Sequence, residues 1–292
     1  MPKSFPKAEL AAAVGASPAR WKSVRGGGYG TNTAKWSVDL DDGRRVFVKL
    51  ALDEVAAGWL RSEARVYDAL STSFVPALVA WHDANDDTFL VLEDLTDAHW
   101  PPPWSSAQIT LVLDTLDAVH AKPPPSGLPL LDDMREHLDG WPTVAADPEP
   151  LLATGLCSVE WLQGALPALA EASADATLTG DALLHLDVRS DNLCFRGDRV
   201  VLVDWNFACV GNPLIDAVAW LPSLRLEGGP QPWEIVPDSE GLAPLIAGFF
   251  AARVGLPPPA TAPKVREIQC RQLEVALPWA ARELGLSVEL VR

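Results

Sequence analysis

Hydrophobic periodicity changes character once along this chain, and that switch constrains the fold more than any other feature. Before residue 95 the apolar residues recur at period two. The stretch WSVDLDDGRRVFVKL, Trp36 to Leu50, alternates apolar and polar side chains around Asp42 and Gly43, the pattern of a β-hairpin with Lys49 on its second strand. Residues 53–70 break the alternation, with Val55, Leu60, Ala64, Tyr67 and Leu70 at helical spacing and Glu63 among them. The runs ALVAWHD and TFLVLEDL, separated by ANDD, predict two more strands, so the first 95 residues predict a small sheet with one main helix. Beyond the triplet Pro101 to Pro103 the spacing is helical. SSAQITLVLDTLDAVHA opens on a serine cap and runs to His120, and helical patterns recur near 151–171, 241–254 and 264–285. The 26 prolines are roughly twice the usual share, and their triplets at 101–103, 123–125 and 257–259 mark connections.

With 292 residues, 48% hydrophobic and 21% charged, the chain can bury a continuous core and reads as a soluble globular protein. It has no apolar run of about 18 residues, and Glu9 interrupts the Ala-rich start, so neither a membrane span nor a secretory leader is expected. Cys157, Cys194, Cys209 and Cys270 are scattered and form no CxxC pair; they read as buried hydrophobes in a reducing, cytoplasmic compartment. A net charge of −16 argues against nucleic acid or an acidic membrane as partner. The excess is uneven: residues 1–95 carry 11 basic and 13 acidic side chains, a net of −2, whereas residues 97–181 set only Lys122 and Arg135 against 13 acids, a net of −11. The 12 tryptophans read as core packing, with Trp100, Trp104 and Trp141 in the acidic middle placed to line a pocket.

The chemistry concentrates in residues 183–207, LLHLDVRSDNLCFRGDRVVLVDWNF. Two apolar runs, LCF and VVLV, flank the turn RGDR and predict a short hairpin. His185, Asp187, Arg189 and Asn192 precede its first strand, and Asp204 ends its second. Folding the hairpin brings Asn192 and Asp204 together, and two oxygen donors on rigid strand ends suit Mg²⁺ shared with nucleotide phosphates and water. Asp187, five residues before Asn192, would lie outside the metal's ligands, where it could accept a hydroxyl proton.

These motifs, in this order and over most of the chain, resemble the aminoglycoside phosphotransferase and choline kinase-like family of small-molecule kinases. HxD, four residues and Asn, then an Asp-led metal motif, is the protein kinase arrangement, but Asp204 is followed by Trp205 and Asn206 where a protein kinase has Phe-Gly. The resemblance implies an α+β, two-lobed, protein kinase-like fold. Residues 1–95 would be a lobe of antiparallel sheet and one main helix, and 96–292 a mainly helical lobe carrying the catalytic hairpin and acceptor pocket. It implies that the glycine-rich turn, with Gly28 and Gly30, covers the phosphates of ATP or GTP, although Thr33 stands where protein kinases have their last glycine. Lys49, braced by Glu63 fourteen residues on, would hold the α and β phosphates, and Glu93 to Leu95 would offer backbone groups to the purine. Asn192 and Asp204 would hold Mg²⁺, Asp187 would orient or deprotonate the acceptor hydroxyl, and Arg189 would neutralise charge on the phosphoryl group. Asp216, in GNPLIDAVAW, looks like the buried acid that braces the catalytic loop.

The implied activity is transfer of a γ-phosphoryl group to a hydroxyl of a small molecule, and the acidic middle region favours a cationic acceptor. An aminoglycoside or peptide antibiotic, an amino sugar and an amino alcohol are all compatible with it. A catalytically silent nucleotide- or ligand-binding protein is the alternative, although no position expected to be catalytic carries an inert residue. A protein kinase is a third reading, against which DWNFACVGNP runs toward Asp216 with no long activation segment and no APE motif.

Overall fold

The computed structural model describes residues 5–24, 32–70, 74–84, 87–260 and 262–287. The chain begins with α1 (Lys7–Val14), β1 (Pro18–Ser23), β2 (Thr33–Leu40), β3 (Arg45–Ala51), α2 (Glu54–Leu70), β4 (Leu78–Ala84) and β5 (Asp87–Glu93). It continues through α3 (Ser106–His120), α4 (Arg135–Leu138), α5 (Trp141–Ala146), α6 (Glu149–Leu152) and α7 (Val159–Asp175). The strands β6 (Ala182–Leu184), β7 (Leu193–Arg196), β8 (Arg199–Leu202) and β9 (Cys209–Gly211) follow. The last helices are α8 (Leu214–Leu226), α9 (Pro232–Ile235), α10 (Leu242–Ala251) and α11 (Val265–Glu283). No described helix is long and apolar enough to cross a membrane.

Packing divides the chain into two compact units, Met1–Pro101 with Ser190–Ala208, and Pro102–Arg189 with Cys209–Arg292. The hairpin expected with the second region therefore groups with the first, and the division falls after Pro101 rather than after residue 95. The reason is local packing. Cys194 and Val201 of the hairpin bury against Leu95, the Leu202 N–H donates to the Phe74 carbonyl at 2.9 Å, and His99 and Phe195 exchange backbone hydrogen bonds.

In the first unit five antiparallel strands lie in the order β1-β2-β3-β5-β4. Val38, Leu40, Val46, Val48, Leu50, Phe89 and Val91 form the core of one face, with Leu10 of α1 packed on it. Helix α2 starts where the Asp53 carboxylate accepts the Ala56 N–H at 2.8 Å, and it buries Ala56, Leu60, Glu63, Ala64, Tyr67 and Leu70 on one side. Periodicity does not predict α1 or β1. KAELAAAV is too uniformly small to show a stripe, and edge strand β1 leaves every residue after Pro18 exposed, so it has no alternation to read. The hairpin β7–β8 pairs Leu193 with Leu202 and Arg196 with Arg199, turning on Gly197 at φ 63°, a left-handed conformation that favours glycine.

In the second unit α3 starts at a capping box: the Ser105 hydroxyl accepts the Gln108 N–H, and the Gln108 side chain accepts the Ser105 N–H. Helix α10 is buried along most of its length, and a methyl group at Gly248 would lie 2.7 Å from the Trp141 ring. Trp141 is wholly buried and donates its indole N–H to the Pro244 carbonyl, so it belongs to the core rather than to a pocket wall. Trp104 reaches the Glu227 carboxylate at 2.7 Å. Cys157, Cys194 and Cys209 are buried and Cys270 partly so; burial pushes the Cys194 and Cys209 thiols up to about 12.

Candidate active site

In the first unit the chemistry gathers around one ammonium. Lys49, on β3, donates to Glu63 Oε1 of α2 at 2.5 Å and also to Asp204 Oδ1 at the end of the β7–β8 hairpin. The Lys49 and Glu63 side chains are only 4% and 1% exposed. Burial by itself would lower the Lys49 pKa, but Asp204 and Glu63 more than offset it and hold the ammonium above its ordinary range. The same burial pushes the Glu63 carboxyl up to about 7, against the downward pull of Lys49. Lys49 thus stays charged between two acids.

Three further groups order this cluster. Tyr67, one turn beyond Glu63 on α2, has its hydroxyl 3.5 Å from Glu63 Oε2 and accepts the Asp204 N–H at 3.1 Å. Asp204 adopts φ 66°, sparsely populated for a residue with a side chain, and the Tyr67 contact helps to hold it there. Lys35 of β2 lies 3.8 Å from Asp204 Oδ2. Burial lowers its pKa, Asp204 partly offsets this and Lys49 adds to it. Asn192 is buried, and its carbonyl accepts the Val203 N–H at 2.9 Å, so strand pairing extends to the residue before Asp204.

Among the described residues no group of three or more His, Cys, Asp and Glu side chains converges as a metal site. The donors at the hairpin are instead the Asp204 carboxylate and the Asn192 amide. Such hard oxygens fit an ion that takes most of its ligands from phosphate and water.

In the second unit the loop before the hairpin is fixed from below. Asp216, wholly buried at the start of α8, accepts the His185 N–H at 2.9 Å and the Leu186 N–H at 2.6 Å. Its Oδ2 is also 3.0 Å from His120 Nε2 at the end of α3. Leu186 is held at φ 60°, an uncommon conformation for a residue with a branched side chain. That twist leads directly into Asp187, whose N–H donates to His185 Nδ1 at 3.2 Å and whose Oδ1 lies 3.3 Å from Arg189 Nη1.

The residues expected at the site fall into these two groups. Lys49, Glu63 and Asp204 meet directly in the first unit, with Asn192 on the same hairpin, and Asp187 and Arg189 meet in the second. Glu93 ends β5, and its carboxylate is ion-paired with Arg196 of the hairpin. The Leu95 carbonyl accepts the Ala98 N–H and the Trp100 indole N–H. Gly28 and Gly30 lie outside the described residues. Lys35, Tyr67 and His120 were not expected. Local signals could have found two of them: Lys35 stands across the hairpin from Lys49, and Tyr67 follows Glu63 at i+4.

Residues 24–248 match the phosphotransferase enzyme family, APH. The chain belongs to that family. That family is one of phosphotransferase enzymes. No curated protein matches the chain by sequence. Solved structures share the family's fold at low identity. A thermostable variant of aminoglycoside phosphotransferase APH(4)-Ia, in ternary complex with ADP and hygromycin B, matches at TM-score 0.60 and 15% identity, covering 96% of this chain and 99% of its own. Choline kinase LicA from Streptococcus pneumoniae matches at TM-score 0.60 and 13% identity, covering 96% and 97%. A putative fructosamine-3-kinase from Thermobifida fusca matches at TM-score 0.55 and 21% identity, covering 94% and 98%. The five-stranded antiparallel sheet and the helical unit are therefore those of the protein kinase-like phosphotransferase fold.

Proposed function

We propose that this phosphotransferase-family enzyme transfers the γ-phosphoryl group of ATP or GTP to a hydroxyl of a small cationic acceptor. The observation that carries the reading is Lys49, a buried ammonium shared by Glu63 and the hairpin's Asp204. Such a lysine is preset in position and charge to take a polyphosphate. The Glu93 carbonyl and the Leu95 N–H would meet the purine edge, and the turn with Gly28 and Gly30 would cover the phosphates. Asn192 and Asp204 would hold Mg²⁺, which when bound neutralises charge on the β and γ phosphates.

Asp187 accepts the acceptor's hydroxyl proton as its oxygen bonds to the γ phosphorus and the bond to the β-phosphate oxygen breaks, releasing the nucleoside diphosphate. Arg189, 3.3 Å from Asp187, supplies a guanidinium to the charge on the moving phosphoryl group. Asp216 acts through the backbone, holding the His185 and Leu186 N–H groups so that Asp187 is presented from a fixed loop. The net −11 of residues 97–181 favours an amine-bearing acceptor, since a field of carboxylates attracts cations. The four free cysteines are in keeping with a reducing, cytoplasmic setting.

The test is phosphoryl transfer from γ-labelled ATP and GTP to aminoglycosides, peptide antibiotics, amino sugars, amino alcohols and their neutral analogues. Label in an amine-bearing acceptor, lost in Asp187→Asn, supports the reading. Nucleotide binding without transfer to any acceptor would favour a silent nucleotide-binding protein, and label in peptides would favour a protein kinase.

A further inference from the structure

Lys35 is placed at a cost that the fold does not recover. It is the direct partner of Lys49 across the β2–β3 pair, so the two side chains leave the sheet on the same face. Like charges directly opposite one another destabilise a sheet. Lys49 is matched by Glu63 and by Asp204 Oδ1; Lys35 is left with Asp204 Oδ2 at 3.8 Å. That distance is too long for a hydrogen bond, and among the described residues the Lys35 ammonium makes none. Its side chain is nevertheless only 18% exposed. A largely desolvated ammonium with three donors and no hydrogen bond is expensive, and a neutral side chain of the same length would fill the space more cheaply. Asp204, Lys49, Glu63 and Asp191 are the charged groups around it, and among the described residues its one ion pair is the long one to Asp204.

We propose that Lys35 is a second phosphate-positioning residue, its ammonium donating to the nucleotide's polyphosphate beside Lys49. The inference rests on the nucleotide reading of the Lys49–Glu63–Asp204 cluster. Two ammoniums against the Glu63 and Asp204 carboxylates leave no net negative charge to draw a cationic acceptor, whereas a polyphosphate carries several negative charges and many acceptor oxygens. A lysine head is a compact point charge with rotatable donors, suited to follow phosphates that move during transfer. Lys35 also lies only five residues beyond Gly30 in the sequence, on β2.

The experiment titrates adenosine, ADP and inorganic tripolyphosphate into the full chain and into Lys35→Met, Lys35→Arg and Lys49→Met, with thermal melting to confirm folding. Expected for Lys35→Met is a rise on the order of tenfold in Kd for ADP and tripolyphosphate, the usual worth of a charge-assisted hydrogen bond, with adenosine binding unchanged. Lys35→Arg should restore most of the loss and provides a folded comparison should the methionine variant melt early. The loss should persist when divalent metal is chelated, which a residue serving only to neutralise Asp204 would not produce. Unchanged ADP and tripolyphosphate affinity in Lys35→Met, with Lys49→Met clearly weakened, would overturn the proposal and leave the nucleotide reading standing. Failure of the unsubstituted protein to bind either phosphate ligand would overturn both.

Discussion

Glu63 in the first unit and Asp216 in the second are both closed off from solvent, yet they are compensated in opposite ways. Glu63 faces a side-chain ammonium that it shares with Asp204. Asp216 faces two backbone N–H groups and a histidine ring. An ion pair between side chains can exchange partners, so the first arrangement leaves its ammonium able to turn toward an anion. A carboxylate bonded to backbone fixes the chain itself, so the second suits a loop that must hold one aspartate still. The lesson is that burial alone does not tell a brace from a binding group; the partner's freedom to move does.

The sharpest break of this comparison is at the residue the brace presents. Asp187→Asn should cut turnover by about 10²-fold or more while ADP affinity is kept, because a proton acceptor is lost and the nucleotide's contacts are not. Turnover near that of the unsubstituted enzyme would remove Asp187 from the chemistry. Next in size is the brace itself. Asp216→Ala leaves two buried N–H groups without an acceptor and should cost about 3 kcal/mol in urea unfolding, with turnover falling alongside. Glu63→Gln should cost less, about 1 kcal/mol, since Lys49 keeps Asp204 and the amide still accepts a hydrogen bond. Equal losses for the two substitutions would erase the distinction.

The ion pair can be sharpened by a cycle. Lys49→Ala should impair nucleotide use more than Glu63→Gln, and the double variant should be no worse than Lys49→Ala, because the two act as one unit. Full additivity in kcat/KM would separate them. A pH effect follows from burial of the same carboxyl. Its pKa rises from 4.5 to about 7 on folding, so the native chain binds that proton more tightly than the unfolded chain. The resulting stability is complete below about pH 4.5 and is lost as pH rises through about 7. Urea midpoints compared across that window should fall more steeply with rising pH for the unsubstituted protein than for Glu63→Gln; parallel profiles would contradict the assignment. The smallest effect concerns the acidic middle region. Added salt should lower kcat/KM for an amine-bearing acceptor a few-fold as screening shortens the Debye length to about 8 Å, and a neutral acceptor should show no such fall.

Local pattern made much of this legible. Alternation around Asp42 and Gly43 marked β2 and β3, the helical spacing of Leu60, Ala64 and Tyr67 marked α2, and RGDR between two apolar runs marked β7 and β8. The intervals from Asp187 to Asn192 and on to Asp204 needed only the primary sequence, because a loop and a hairpin fix their separation. Long-range pairing was another matter. That Lys49 meets Asp204, 155 residues away, that His120 meets Asp216, 96 residues away, and that Lys35 makes no hydrogen bond among the described residues are results of how the strands and helices pack. Periodicity reports which face of an element is buried; it carries no information on which carboxylate waits there. The grouping of residues 190–208 with the first sheet was settled the same way, by Cys194 and Val201 finding Leu95 across a long stretch of intervening chain.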